Sequence, residues 1–224
     1  MNKLFKYDLL RRLPGKIGDR YQVKHLRRHA QTRAFPEALR NSRNMTCIDL
    51  GANVGEYTRT MATVAKRVIA FEPDPWTLSV LQTNVADLDN VTIEGVAAGM
   101  RDGRTMLYRH SQFEENPTFY SESSSLIASK SNIAGGEAVE VRQVSFIDYL
   151  ERLNEDIGII KMDIEGAEVD LLETLFDRHD VMKRIHYIFA ETHESRIPSH
   201  ALRVKRLHDT VQELQRPIIN LYWS

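Results

Sequence analysis

From about residue 45 onward, short apolar runs alternate with one-sided helical spacings. "MTCIDLG" (45–51) reads as a buried strand. Val54, Tyr57, Met61 and Val64 then recur at intervals of 3, 4 and 3, which lays one apolar stripe along a helix. "RVIAFEP" (67–73) is a second strand, stopped by Pro73 and Pro75. Leu78, Leu81, Val85 and Leu88 repeat the helical spacing, and "VTIEGVAAG" (91–99) predicts a single third strand. "RTMLYRH" (104–110) and "EAVEVRQVSF" (137–146) predict two more, separated by a long loop rich in Ser, Asn and Gly. A short helix over 147–154 leads into "IGIIKMDI" (157–164), the fourth main strand. The next helix turns Leu171, Leu172, Leu175 and Phe176 inward, and "RIHYIFAETH" (184–193) is a fifth strand. A helix with Val204, Leu207, Val211 and Leu214 on one face precedes a last strand in "RPIINLYWS" (216–224). Strands alternating with helices predict an α/β fold: a mostly parallel sheet covered by helices on both faces.

Residues 1–44 differ. They look helical and irregular, and hold 12 Lys+Arg against 3 Asp+Glu, whereas the remaining 180 residues hold 18 against 28. A net charge of −1 therefore hides a basic arm of +9 on an acidic body of −10. The arm, 1–44, is read as an extension of the domain at 45–224. It either packs on an acidic body, its own or a second subunit's, or meets an anionic surface or carrier lipid. Few aromatics interleave with its arginines, so no nucleic-acid partner is expected. No apolar run has the length of a membrane span, and "MNKLFKYDLLRRLPGK" lacks the apolar stretch of a secretory signal. The single Cys47, inside a strand, gives no reason to place the chain in an oxidising compartment. A cytoplasmic location is expected.

A doubly wound sheet holds ligands beyond the carboxyl ends of its strands. The first ends in Asp49 and a turn with Gly51, Asn53 and Gly55; the second in Glu72 and Pro73; the third in Ala97 and Ala98. The fourth ends in Asp163 and Glu165, and the fifth in Glu191 and His193. Glu72, 21 residues beyond Gly51, stands where an acid accepts both hydroxyls of a ribose. The turn "GANVG" departs from the glycine pattern that places helix N–H groups on a pyrophosphate. A carboxylate at Asp49 would repel phosphate and suit a cation. S-adenosylmethionine, with a ribose, an ammonium, a sulfonium and no phosphate, fits better than a dinucleotide.

These residues also resemble a family. "IDLGANVGEYT", "VIAFEPDP", "VAAGMRDG", "SSSL", "IIKMDIEGAE" and "ETHE", in that order, make the chain similar to the FkbM-type, S-adenosylmethionine-dependent O-methyltransferases over roughly residues 45–195. The resemblance implies a Rossmann-like class I methyltransferase fold with seven strands. It implies cofactor contacts from Asp49, Gly51, Asn53 and Gly55, from Glu72 with Pro73, from Ala97 and Ala98, and from Asp163. Such folds end in an antiparallel hairpin, whereas only one strand is read after residue 200, so the sheet is expected to lack a strand or to hide one.

An alcohol acceptor gains from a general base. The candidates are Asp163 and His193, with Glu165 and Glu191 close by. Asp163 has a second reading as the cap of the helix beginning near Gly166, and His193 as a structural histidine. Asp163, Glu191 and His193 together have the ligand types to gather Mg²⁺ or Mn²⁺, although no sequence spacing demands a metal. Ser123, Ser124 and Ser125 are candidates for bonding sugar hydroxyls. The expected activity is O-methylation of a hydroxyl on a sugar or other polar metabolite, the acceptor being a small molecule or glycan. The rivals are an NAD(P)-dependent oxidoreductase and a non-catalytic binding module on the same fold.

Overall fold

A computed structural model of the chain describes residues 3–117, 125, 137–194 and 196–223. The helices are α1 (Lys3–Leu10), α2 (Lys16–His29), α3 (Phe35–Asn41), α4 (Glu56–Ala62), α5 (Pro75–Asn84), α6 (Phe146–Leu153), α7 (Glu168–Phe176), α8 (His179–Met182) and α9 (Ala201–Glu213). The strands are β1 (Thr46–Leu50), β2 (Arg67–Phe71), β3 (Val91–Glu94), β4 (Ala97–Gly99), β5 (Gly103–Tyr108), β6 (Ala138–Ser145), β7 (Ile157–Met162), β8 (Ile185–Ala190) and β9 (Ile218–Asn220).

Six strands form one sheet in the order β3-β2-β1-β7-β8-β9, and every neighbouring pair is parallel. The chain winds outward from β1 on one side and from β7 on the other, so the order reverses between these two strands. That switch point is where a crevice opens. Side chains alternate across the sheet. Ile48, Leu50, Ile160, Met162 and Ile188 join a core completed by α6, α7 and α9. Cys47, Val68, Ile159 and Phe189 face the other way, toward α3, α4 and Trp223. Period-two alternation with both faces apolar is what a parallel sheet between helix layers requires.

One expectation is corrected here. The run 91–99 is two strands. Beyond Val96 the chain leaves the main sheet, and β4 pairs with β6 in a small sheet of order β4-β6-β5. The main sheet has six strands among the described residues, in line with the expectation that it lacks one of seven, and β9 is parallel to β8. The whole of α9 lies between β8 and β9, and a helical crossover returns a strand parallel to its predecessor.

The basic segment 1–44 joins the domain through its second half. A π-helical stretch, Ala30–Ala34, continues α2 into α3. Ala30, Phe35 and Ala38 are buried in the core, with the Phe35 ring 4.8 Å from that of Trp223 and 5.2 Å from that of Phe189. Only α1 and α2 stand outside the body: α1 buries no residue and α2 buries only Gly18. No described helix is long and apolar enough to cross a membrane.

Candidate active site

The crevice at the switch point is a cleft of about 900 Å³, including its open mouth. Its floor is the turn after β1. A side chain at Gly51 would place its Cβ 1.9 Å from the Asp163 carbonyl oxygen, so only glycine lets the β1 and β7 ends meet. The Gly51 and Ala52 amides both donate to the Phe71 carbonyl, which ties this turn to β2. Asn53 adopts φ 48° and donates its amide to Glu72 Oε2 at 2.9 Å. Glu72 Oε1 accepts from the Asp74 amide at 2.9 Å. Asp74 in turn caps α5 by accepting from the amides of Trp76 and Thr77, with Pro75 in the first turn. "FEPDP" is thus one local device that buries Glu72 and starts a helix. Burial pushes the Glu72 carboxyl up to about 7, against the pull of its two backbone donors.

Gly51, Asn53, Glu72, Pro73, Ala97, Ala98, Asp163 and Glu165 all border the cleft, with Phe71, Val96 and Leu107 completing an apolar wall. Asp49 and Gly55 are not among the lining residues. Asp49 is fully buried beneath the turn, where it accepts from Thr58 Oγ1 at 2.7 Å and pairs with Lys161 Nζ at 3.3 Å. Its charge is compensated by Lys161, so the attraction for a cation expected of it is spent inside the protein. Gly55 allows α4 to approach α5: a Cβ there would meet Leu81 Cδ1 at 2.8 Å.

Lys161 was not anticipated, although a lone charge inside the apolar run "IGIIKMDI" is its signal. Its ammonium donates to the Gly51 carbonyl at 2.8 Å and stands 3.9 Å from Asp163 Oδ2. Burial opposes its charge, but Asp49 and Asp163 outweigh that and keep it protonated.

Behind Asp163 and Glu165, which line the cleft, four carboxylates surround the imidazole of His193, and neither His193 nor Glu191 is itself among the lining residues. His193 Nε2 lies 3.0 Å from Glu165 Oε2, 3.7 Å from Asp163 Oδ1 and 4.0 Å from Glu191 Oε1, while Nδ1 lies 3.5 Å from Glu168 Oε1. Burial disfavours the imidazolium, yet the bonds to Glu165 and Glu168 hold the His193 pKa up to about 11. Both bonds favour the protonated imidazole, which weighs against His193 as the base. Glu191 is different: burial, then the Asp163 charge, pushes it up to about 7. Burial also raises Asp163, with Glu165 adding to the shift and Lys161 opposing it. Asp163 does not cap a helix, because α7 begins at Glu168 after Ala167. Glu168 instead closes the intervening turn, accepting from the Ile164 and Gly166 amides at 2.7 Å each.

Of the five described non-glycine residues with left-handed backbone, three belong to this site: Asn53 (φ 48°), Glu165 (φ 61°) and His193 (φ 51°). Such conformations persist where surrounding structure enforces them, and they gather at functional sites. One donor atom each from Asp163, Glu191 and His193 lies within 4.8 Å of the others, so these three have the reach to hold a divalent ion. The ion would first have to displace the His193 proton held by Glu165. Ser125 is buried, and its hydroxyl donates to the Glu165 carbonyl at 2.6 Å, so it braces the site rather than facing an acceptor. Ser123 and Ser124 lie outside the described residues.

The model of the methyltransferase FkbM domain matches residues 49–215. The chain is 31% identical to "Methyltransferase 1" of Beauveria bassiana (strain ARSEF 2860), in an alignment covering 59% of each protein. It is also similar to the crystal structure of methyltransferase FkbM from Methylobacillus flagellatus KT, at 18% identity and a TM-score of 0.40, over 78% of this chain and 45% of that one. A putative S-adenosylmethionine-dependent methyltransferase from Listeria monocytogenes is similar at 13% identity and a TM-score of 0.27, over 54% and 76%. The chain thus spans 59% of the length of the curated relative and less than half of the FkbM structure. With the family model covering most of its length, from the β1 acid through α9, the chain belongs to the FkbM methyltransferase family.

Proposed function

We propose that this chain is an S-adenosylmethionine-dependent O-methyltransferase that acts on a hydroxyl of a sugar or other polar metabolite, in the cytoplasm. The observation that carries the reading is the pairing, around one cleft, of a buried acceptor carboxylate at Glu72 with the Asp163 carboxylate, behind which Glu191 stands within reach of Asp163. The donor set suits the cofactor's hydroxyls and positive centres. Glu72 offers carboxylate lone pairs toward a ribose, and the apolar wall of Phe71, Val96, Ala97 and Leu107 accepts an adenine. Lys161, the one cation lining the cleft among the described residues, is engaged by Gly51 and Asp49, so a pyrophosphate finds no free positive group on this wall. This weighs against the NAD(P)-dependent oxidoreductase.

When bound, the cofactor supplies an electrophilic methyl group on a sulfonium. The chain's contribution is to hold the acceptor hydroxyl and take its proton. Glu191, with a pKa of about 7, is half deprotonated near neutral pH and stands beside Asp163, so it serves as the base. The His193 imidazolium keeps Glu165 and Asp163 in place and offsets their charge.

The test is transfer of a labelled methyl group to a panel of hydroxylated sugars and metabolites, with amine and thiol acceptors alongside. Label on oxygen, lost in Glu191→Gln, supports the reading. Label confined to nitrogen or sulfur, or hydride transfer from a nicotinamide in its place, overturns it.

A further inference from the structure

We infer that the α1–α2 hairpin is a docking element for an anionic lipid bilayer. The inference is independent of the methyl-transfer reading.

The hairpin is held together by its own contacts. The Tyr7 and Tyr21 rings lie 6.0 Å apart, and Arg11 reaches both Asp8 and Gln22. What it turns outward is apolar: Phe5, Leu9, Leu13, Ile17 and Val23 are between 42% and 62% exposed. These are five of the nine large hydrophobic residues exposed in the described structure, gathered in 19 consecutive positions. An exposed apolar cluster of this kind marks an interaction surface.

The same surface is cationic. Along α2, Lys16, Arg20 and Lys24 recur at four-residue spacing. At about 100° per residue they share one arc with Ile17 and Val23. None of these three makes an ion pair with a described residue within 4.0 Å, in contrast to Arg11 and Arg12, which both pair with Asp8, and to Arg27, whose charge acts on Glu191. Apolar side chains for the acyl boundary among unpaired cations for the headgroups are the two attractions that hold a helix in a bilayer interface. A free phosphate ion uses only the second. A second copy of this hairpin would set its cations against like charge. The acidic body, net −10 over residues 45–224, is repelled by the same lipids, which fixes the hairpin as the side that faces them. The end of α2 that carries Arg27 runs directly into the π-helical stretch and the core, so a docked hairpin is rigidly joined to the domain bearing the cleft.

The full chain would be mixed with vesicles of phosphatidylcholine alone or doped with phosphatidylglycerol, and the pelleted fraction measured at low and high salt. Pelleting with the doped vesicles only, weakened by salt, is expected. The double change Arg20→Glu with Lys24→Glu should lower partitioning about tenfold or more. Ile17→Ser with Val23→Ser, which leaves the charge unchanged, should also weaken it, and neither pair should move the thermal midpoint. Equal pelleting with both vesicle types, release by inorganic phosphate at matched ionic strength, or no pelleting together with self-association of the chain in sedimentation would each overturn the proposal.

Discussion

The Nε2 of His193 stands 3.0 Å from Oε2 of Glu165, a contact that favours the protonated imidazole. With Glu168 flanking the other ring nitrogen, the proposed reaction draws its base from Glu191 instead.

The rate should therefore rise with pH through a midpoint near 7, as Glu191 deprotonates. Glu191→Gln should remove that limb and lower kcat by about a hundredfold or more. His193→Gln should lower the rate while leaving an ascending limb in place. A pH–rate profile of the three proteins decides it. An ascending limb near 6.5 that vanishes only in the His193 variant would restore the histidine as base.

Stability should fall as the solution becomes more basic. Glu72 and Glu191 have folded pKa values raised from 4.5 to about 7, so the folded state binds their protons more tightly than the unfolded one. Each contribution is present below about 4.5 and is lost as pH rises through about 7. His193, raised from 6.5 to about 11, acts in the same direction over a higher window. Thermal melting in the absence of cofactor should show a midpoint falling steadily between about pH 5 and about pH 9. Glu72→Gln should flatten the lower part of that slope, and a midpoint that climbs across this range would refute the assignment.

The segment around α3 should behave as core. Phe35 is 3% exposed between Trp223, Phe189 and Tyr57. Phe35→Ala should cost about 3–5 kcal/mol, the range for emptying a buried aromatic site. Phe5→Ala, at 62% exposure, should fall within about 0.5 kcal/mol of the parent. Denaturant unfolding of the two variants measures the difference.

Much of the fold was legible because a parallel sheet buried on both faces writes itself as apolar runs, and each run from 45 to 73 and from 157 to 190 became a strand. The break at Gly95 was not, since "VTIEGVAAG" stays small and apolar while the chain changes sheets. The basic composition of residues 1–44 concealed the few apolar positions, Ala30, Phe35 and Ala38, that put its second half into the core. At the site, the sequence named the strand-end acids but not their partners. Asp49 looked free because Lys161, 112 positions away, is brought to it only by the pairing of β1 with β7. The His193 environment is likewise assembled from two loops, and its proton affinity follows from neighbours that no spacing announces.

Glu72 is the most direct handle on the central claim. Its two oxygens are fixed by the Asn53 and Asp74 amides, and removing a hydrogen-bond acceptor from such a position weakens a bound hydroxylated ligand by about ten- to a hundredfold. The decisive measurement is calorimetric titration of the protein, and of Glu72→Ala, with S-adenosylmethionine and separately with NAD. Binding of S-adenosylmethionine alone, weakened to that extent in the variant, is the predicted result. Binding of NAD, or S-adenosylmethionine affinity indifferent to Glu72, would contradict the account.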